Sequence, residues 1–272
     1  MSIWSEVLLT TAGLSALWMA PAIATDLAPP PIFKKAPPAL PVVPSGWAGF
    51  YLGLNAGGAS SHDCWDLMGD SHGSLRPQAE GCHDATGAVA GGQIGYRWQA
   101  ASWVFGVEAQ GDWANLSGSN KNTTSVTTTS WSSGPCPTPT TTTVNITKLN
   151  TSKIDSIGLF TGQVGYAWNS ALLYVKGGAA TVHDNYRGAT DGVLKDQAGG
   201  NRWGGAVGTG VEYGFAPNWS VGVEYDHLFM GNRDVTLVSN SGVSRVDTIR
   251  QDVDMATVRV NYRLGGPLLA KF

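Results

Sequence analysis

Long apolar runs and an excess of positive charge are both missing from this sequence. Beyond its first twenty residues, no stretch supplies the 18 or more apolar residues that a transmembrane helix needs. Lys and Arg number 17 against 20 Asp and Glu, so the formal net charge is -3 over 272 residues. A nucleic-acid-binding protein would carry a strongly basic face, and we therefore expect no nucleic-acid partner.

Charged residues of both signs are scarce, at 14% of the chain, whereas glycine and tryptophan are abundant. The chain holds 36 Gly, and its 11 Trp outnumber its 7 Phe. Gly, Thr and Ser with few charges favour sheet and loop over helix. Trp and Tyr concentrate where a surface is half apolar and half wet, as at a membrane boundary. A membrane form of this chain would therefore be a barrel.

The N-terminus predicts a cleaved export signal over residues 1–24. Residues 7–20 are mostly apolar and helix-compatible, and Ala22-Ile23-Ala24 fits the small-x-small cleavage rule. No Lys or Arg precedes the apolar stretch, and Glu6 stands where a positive charge is expected, so a buried helix is the alternative. Residues 25–45 contain seven prolines, which favour an extended polyproline II leader in the periplasm.

Cysteine is rare, with three in the chain. Export would place them in an oxidising compartment. Cys64 and Cys82 bracket one polar segment, so a disulfide between them is the simplest pairing. Cys136 is left over in a tract of Thr, Ser and Pro.

From Gly46 onward, apolar and polar residues alternate with a period of two in eight segments. Phe50 and Leu52 fall on one face of the first segment, and Tyr51 and Gly53 fall on the other. The segments are residues 47–59, 87–98, 102–114, 153–168, 171–183, 202–215, 219–229 and 252–264. They predict eight antiparallel strands in a domain spanning 46–264, followed by a tail at 265–272.

The connections between these segments alternate in length. Three are only a few residues (99–101, 169–170 and 216–218), and the others are long and polar. Aromatic residues cluster beside the short ones: Tyr96, Trp98, Trp103, Tyr166, Trp168, Tyr213, Phe215 and Trp219. Short turns on one side, long loops on the other and an aromatic girdle are typical of an all-β, closed outer-membrane barrel. A soluble β-sandwich also alternates, but it would leave the charged face in solvent and has no reason for the girdle.

Several motifs carry a resemblance to a known family. They are Trp47-Ala48-Gly49-Phe50-Tyr51-Leu52-Gly53 with Asn55-Ala56-Gly57, then Gly91-Gly92-Gln93 with Gly95-Tyr96 and Trp98, Gly106 with Glu108 and Asp112, Glu224-Tyr225, and Val260-Asn261-Tyr262. With these motifs the chain resembles the alphaproteobacterial outer-membrane immunogenic or surface-antigen proteins. These small "porin family" proteins are related to the OmpA transmembrane domain and to opacity proteins. The resemblance implies residence in the cell outer membrane of a Gram-negative bacterium.

The end of the chain departs from that family's pattern. In the family the last strand usually ends the protein with an aromatic residue, which resembles the recognition signal for the barrel-insertion machinery. Here the strand reaches Leu264 and the chain continues through Pro267 to Phe272. The chain therefore departs from the family's pattern at the segment that resembles the insertion signal.

Charged residues on the inner face predict a network of ion pairs within the lumen. The predicted members are Arg97, Glu108, Asp112, Lys176, Glu212, Glu224, Asp226, Arg259 and Arg263. An eight-stranded barrel is just wide enough for side chains to fill, and isolated buried charges would cost several kcal/mol each. The network is either a static plug or the lining of a narrow polar conduit.

The two longest polar stretches predict surface loops. Residues 60–86 contain His62 and His83, which a Cys64–Cys82 bridge would bring close together. The two histidines are candidates for a metal or haem contact. The alternative is a disulfide-linked surface loop with solvent-exposed histidines. Residues 115–152 form a Thr/Ser tract, which suits adhesion, antigenic variation or a solvated spacer.

The function predicted from these features is that of a non-enzymatic surface protein. His183, Asp184 and His227 lie at strand ends, but no nucleophile motif accompanies them. We predict no cofactor. The expected partners are outer-membrane lipid and lipopolysaccharide, the insertion machinery and, through the loops, host or surface ligands. A low-conductance porin for ions or very small solutes is the first alternative, and a loop-based haem, metal or host-ligand binder is the second.

Overall fold

The computed structural model describes residues 46–264 except 71–77, 137, 192 and 240–243. The predicted signal peptide (1–24), leader (25–45) and tail (265–272) lie outside the described residues, and their boundaries stay predictions. In the part of the chain that is described, no helix combines the length and the apolar character required to cross a bilayer.

Eight antiparallel strands form one closed barrel in which each strand pairs with its neighbours in chain order. They are β1 (Gly49–Asp70), β2 (Gln78–Ala100), β3 (Trp103–Trp131), β4 (Pro139–Trp168), β5 (Ala171–Thr190), β6 (Val193–Ala216), β7 (Trp219–Ser239) and β8 (Ser244–Leu264). The first and last strands pair from Phe50 with Leu264 to Asp70 with Arg245, which closes the sheet. The predicted closed eight-stranded fold is confirmed.

Tight turns join the strands at one end of the barrel. Residues 101–102, 169–170 and 217–218 are the whole of these connections. Each turn contains one left-handed residue: Ala101 (φ 53°), Asn169 (φ 53°) or Asn218 (φ 66°). Asn adopts this conformation more readily than most residues, which suits it to two of the three turns. The predicted short turns are therefore confirmed.

At the other end the strands run much further than predicted, and the two predicted loops are corrected. Residues 60–86 mostly belong to β1 and β2, which form a continuous ladder as far as Leu67 and Gln78. Residues 115–152 mostly belong to β3 and β4, which are 29 and 30 residues long. The outer face of these extensions is polar, so the strands keep their backbone pairing without the apolar alternation by which a sequence reveals a strand.

The β3–β4 hairpin extends furthest. Its two strands stay paired out to Trp131 and Pro139, whereas β5 accompanies β4 only as far as Lys148. Hydroxyl groups face each other across the hairpin, as in the pair Thr127 and Thr143, whose Oγ1 atoms are 3.2 Å apart. Such cross-strand pairs stabilise a two-stranded ribbon. Beyond the barrel wall the ribbon is exposed on both faces.

A band of exposed apolar side chains encircles the barrel beside the tight turns. Each strand contributes at least one: Leu54, Ile94, Val107, Val164, Val175, Val211, Val223 and Val258. Aromatic pairs mark the edge of the band nearest the turns, with ring centroids 4.8 Å apart for Tyr96–Trp98 and 5.5 Å apart for Trp103–Tyr166. This arrangement matches the hydrocarbon core and interface of a bilayer.

Two inward-facing glycines make room for buried tyrosines. A Cβ atom at Gly95 would collide with the phenol ring of Tyr51, and one at Gly210 would collide with the ring of Tyr174. Glycine permits this close approach because it carries no side chain. Both tyrosine rings can therefore lie across the lumen, where their hydroxyl groups reach the buried charges.

Candidate functional site

The middle of the lumen is filled by a buried group of charges, named here the central cluster: Glu108, Lys176, Glu224, Asp226 and Arg259. All five are at most 6% exposed. Arg259 bridges Glu224 and Glu108, with its Nη2 atom 2.5 Å from Glu108 Oε2. Lys176 Nζ lies 2.7 Å from Glu224 Oε1 and 3.2 Å from Asp226 Oδ1. Five residues from four strand segments, β3, β5, β7 and β8, are thereby tied together across the barrel.

Two tyrosines complete the hydrogen bonding of the central cluster. Tyr51 Oη donates to Glu108 Oε2 over 2.6 Å, and Tyr174 Oη donates to Glu224 Oε2 over 2.5 Å. Hydrogen bonds to charged groups are about twice as strong as neutral ones. These tyrosines therefore belong to the candidate site, and their place on the inner face was the only sequence signal that could have indicated them.

A second ion pair lies closer to the tight turns. Arg97 Nη2 is 2.8 Å from Glu212 Oε2, and both side chains are buried. The hydroxyl of Ser220 also donates to Glu212. The guanidinium carbon of Arg97 is 4.3 Å from the ring centroid of Tyr51, a cation–π contact that adds to the ion pair.

Two of the nine predicted network members differ from the prediction. Asp112 faces the lumen but accepts a hydrogen bond from Gln110 Nε2 at 2.8 Å. Arg263 lies near the turn, where its Nη2 atom donates to Asn218 Oδ1 at 3.2 Å. Neither forms an ion pair with another described residue. Strand parity placed both side chains inward, but parity carries no information about which charges meet across the barrel.

The sequence reasoning missed a layer of apolar side chains in the lumen, named here the apolar layer. All eight strands contribute to it: Ala59, Ala85, Val89, Leu116, Ile154, Ile157, Leu159, Ala180, Val182, Ala206, Leu228, Met230, Val253 and Met255. It lies next to the central cluster, on the side away from the tight turns. Ala59, Leu159 and Leu228 occupy positions that continue the inward-facing alternation of their strands. This alternation could have indicated that their side chains face the lumen.

Beyond the apolar layer lies a second polar group, the upper cluster of Asp63, Asp184, Arg202 and Gln251. All four are buried. Gln251 Nε2 donates to Asp184 Oδ1 at 3.1 Å, and Arg202 Nε lies 3.8 Å from Asp184 Oδ2. Burial, together with the charge of Asp184, raises the pKa of Asp63 to about 6. The upper cluster is therefore held together by hydrogen bonds as well as by charge.

The mouth of the barrel holds a further charged group, the mouth cluster of Glu80, Lys148, Arg245 and Asp247. Arg245 Nη2 lies 2.8 Å from Asp247 Oδ2 and 3.4 Å from Glu80 Oε2. Burial raises the pKa of Asp247 to about 7 against the pull of Arg245. For Glu80, burial is outweighed by Arg245, Asn150 and Lys148, and the pKa is lowered.

The structure contains the Cys64–Cys82 disulfide, on the outer face of the wall. It does not bring together the two histidines predicted beside it. His62 lies on the outer face, with Nδ1 2.6 Å from Asp84 Oδ1, whereas His83 faces inward, with Nε2 3.1 Å from Ser152 Oγ. Adjacent strand positions alternate between faces, so the two imidazoles cannot share one metal or haem. Cys136 is free and exposed at the hairpin tip.

A closed barrel with an apolar outer band, an aromatic girdle and charges buried in its lumen defines an outer-membrane β-barrel protein. The chain belongs to the family described as "Outer membrane protein beta-barrel domain", whose model matches residues 37–263. It is a protein of the outer membrane, as predicted.

The chain is similar to curated outer-membrane proteins and to several solved structures. The chain is 28% identical over 264 residues to the 31 kDa outer-membrane immunogenic protein of Brucella melitensis, which covers 93% of this chain and 97% of that protein. The Brucella suis protein of the same description matches equally. Among solved structures, the outer membrane protease OmpT of Escherichia coli has 10% identity and a TM-score of 0.45, covering 79% of this chain and 97% of OmpT. OprG of Pseudomonas aeruginosa has 13% identity and a TM-score of 0.40, covering 80% and 97%.

Proposed function

We propose that this protein is a sealed surface barrel whose lumen is structural and whose long extensions present a surface for interaction. The apolar layer is the single observation that carries this proposal. Its members come from every strand and are buried. Ions cross an apolar constriction poorly because they must shed their hydration there. The layer therefore supports a closed lumen more strongly than the ion pairs alone, which could also line a conduit.

The central cluster supports the same conclusion. Charges taken out of water persist only when they are paired and hydrogen-bonded, and Arg259 and Lys176 each contact at least two carboxylates. A conducting lumen would need one of these contacts to open for each ion. We infer that the cluster joins opposite walls of the barrel and keeps them in register.

The surface role rests on the β3–β4 hairpin. It offers hydroxyl groups, few charges and two exposed faces, and the proposed contacts are host or surface ligands outside the cell and lipopolysaccharide around the wall. The Brucella relatives are described as immunogenic, which is consistent with an exposed segment. The barrel-insertion machinery is the partner expected during assembly.

We infer that the barrel has no hydrolytic or acyl-transfer site. His183 lies on the outer face, where its Nδ1 atom is 2.6 Å from Asn201 Oδ1. Asp184, the next residue, faces the lumen and belongs to the upper cluster. His227 pairs with Asp254, at 2.6 Å. These histidines and carboxylates, which lie within β5, β7 and β8 and not at strand ends, therefore do not converge on one nucleophile.

Single-channel recording tests the proposal. The mature protein is refolded, its folding is verified by heat-dependent gel mobility, and it is inserted into a planar bilayer beside an open porin as positive control. We expect no current steps. Reproducible ion-selective steps that change in a Lys176→Met variant would instead establish the alternative, a low-conductance porin with the central cluster as its filter.

A further inference from the structure

The outer wall carries a compact group of reactive side chains that the sealed lumen does not use. Cys64 on β1 and Cys82 on β2 lie directly opposite each other in the register and are joined by a disulfide. Cys82 is exposed and Cys64 is half-buried. The outward neighbours at this height are polar, including Ser60 and Asp66, so the disulfide lies above the apolar band and faces water.

A histidine is held beside the half-buried sulfur. His62 Nε2 lies 3.5 Å from Cys64 Sγ, and His62 Nδ1 lies 2.6 Å from Asp84 Oδ1. When the imidazole is protonated, Nδ1–H donates to the Asp84 carboxylate and Nε2–H is directed at Cys64 Sγ. The Asp84 carboxylate thereby fixes the orientation of the imidazole ring, just as a third residue orients the general base in many catalytic groups.

The charges around this group come from three strands. On β8, Arg250 is the register partner of Cys64 and Asp252 is the partner of His62. On β1 and β2 the ionisable neighbours are Asp66 and Asp84. The Arg250 side chain donates from Nε to Asn232 Oδ1 on β7 at 3.3 Å, so the cation beside the Cys64 sulfur is the protonated His62, and an imidazolium near a sulfur stabilises its thiolate form. Cys64 is therefore the better leaving group of the two, and Cys82 the more accessible sulfur for attack.

We propose that the Cys64–Cys82 disulfide is a thiol–disulfide exchange site for external thiols, with His62 as proton donor and Asp84 as its positioning residue. An external thiolate attacks Cys82 Sγ from the side opposite Cys64, and a new sulfur–sulfur bond forms. The Cys64–Cys82 bond breaks, and its electron pair leaves on Cys64 Sγ. That sulfur takes the proton from His62 Nε2.

The products balance the reactants. Cys82 carries a mixed disulfide with the external sulfur, which is oxidised from thiol to disulfide. Cys64 is reduced to a thiol, and His62 is left neutral. A second external thiol can release the adduct and leave both cysteines reduced. The substrates are monothiols in solution or exposed cysteines of other proteins, and the probe chosen here is reduced glutathione.

Exchange kinetics test the proposal on the refolded full-length mature chain. A Cys136→Ser background removes the free thiol at the hairpin tip. Glutathione is added over a range of pH, the new thiol is trapped with a maleimide, and peptide mass spectrometry locates the adduct and the trapped thiol. His62→Ala is compared with His183→Ala, a histidine on the outer face of β5 that does not neighbour the disulfide.

We expect the glutathione adduct on Cys82 and the trapped thiol on Cys64. His62→Ala should slow exchange by about tenfold at acidic pH, a modest value for general acid catalysis, and its deficit should be smaller at alkaline pH. Asp84→Asn should give a smaller deficit with the same trend, which a purely structural role would not produce. Equal rates for His62→Ala and His183→Ala at every pH, an adduct on Cys64, or no reaction of the parent protein would overturn the proposal.

Discussion

At the scale of single residues, Arg259 contacts side chains from three other strands of the lumen. Its guanidinium contacts Glu108 of β3 and Glu224 of β7, and it donates to Tyr174 Oη at 3.3 Å. The five donors of a guanidinium allow such multiple contacts, which an ammonium group cannot match in fixed geometry. Arg259 therefore joins strands that are not neighbours in the sheet.

Replacing Arg259 should destabilise the barrel strongly. Arg259→Ala leaves two buried carboxylates with one less cation, and breaking a buried pair in this way costs about 3–5 kcal/mol. Urea unfolding in micelles, followed by Trp fluorescence, measures the free energy. Arg187→Ala, which removes an exposed guanidinium from β5, should change it by less than about 0.5 kcal/mol. A loss for Arg259→Ala below about 1 kcal/mol, the range of exposed pairs, would contradict a structural role for the cluster.

Strand parity in the sequence was sufficient to place all nine predicted charges on the inner face. It was not sufficient to pair them, because pairing depends on the register and tilt of strands that are distant in the chain. Glu108 and Arg259 are 151 residues apart, yet their charged atoms lie 2.5 Å from each other. The same limit explains why the turn contact of Arg263 and the hydrogen bond of Asp112 were not predicted.

At the scale of the elements, the strand extensions are the main departure from expectation. Their exposed residues are mostly Ser, His, Asp, Asn and Thr, with scattered apolar exceptions such as Val144 and Val238, since water and not lipid surrounds them. The apolar residues that face inward there, such as Trp65, Leu237 and Ile249, were too widely spaced among polar neighbours to indicate strands. The eight membrane-crossing segments were predictable because lipid on one side and a polar lumen on the other impose strict alternation.

The mouth cluster should make the strand extensions more stable in mild acid. The pKa of Asp247 is about 7 in the folded protein and about 3.9 in an unfolded chain. Between those values the folded state binds more protons, so stability falls as the pH rises through this window and changes no further above it. The protection factors of amides at the mouth end of β8, that is the intrinsic exchange rate at each pH divided by the observed rate, should accordingly be higher at about pH 5 than at about pH 8.

Two variants make that prediction decisive. Asp247→Asn cannot titrate, so it should flatten the pH dependence and slow exchange at the higher pH. Asp66→Asn removes an exposed carboxylate from the outer face of β1 and should leave the pH dependence unchanged. If Asp247→Asn retained the full pH dependence, the carboxyl group of Asp247 would not be its source.

Across the whole molecule, the lumen is a stack of alternating polar and apolar layers. The central cluster and the apolar layer lie one above the other, and the upper and mouth clusters follow towards the outer end. If the lumen is sealed as proposed, these two layers act as barriers in series, and either one would block an ion path when the other is opened. The sequence analysis predicted the charges of the central cluster and missed the apolar layer, although only Ala85, Leu116 and Met230 of that layer lie outside the predicted strand segments.

This arrangement predicts that conductance requires both barriers to be opened. Leu159→Ala with Leu228→Ala thins the apolar layer, and Lys176→Ala with Glu224→Ala removes a pair of opposite charges from the central cluster. Each double variant should stay silent in a planar bilayer, and the fourfold variant should conduct. Current from either double variant alone would show that one layer carries the whole seal. Heat-dependent gel mobility verifies that each variant is folded.

The β3–β4 hairpin also determines where this protein can tolerate changes in its sequence. About nine residue pairs of it stand clear of the wall, which is roughly 30 Å at the rise of a β-strand. Among the described residues, no other strand pairs with that portion, so substitutions and insertions near its tip should leave the lumen and the membrane band unchanged. Natural variation among strains should therefore accumulate there first, and a foreign peptide grafted at the tip should be displayed without loss of folding.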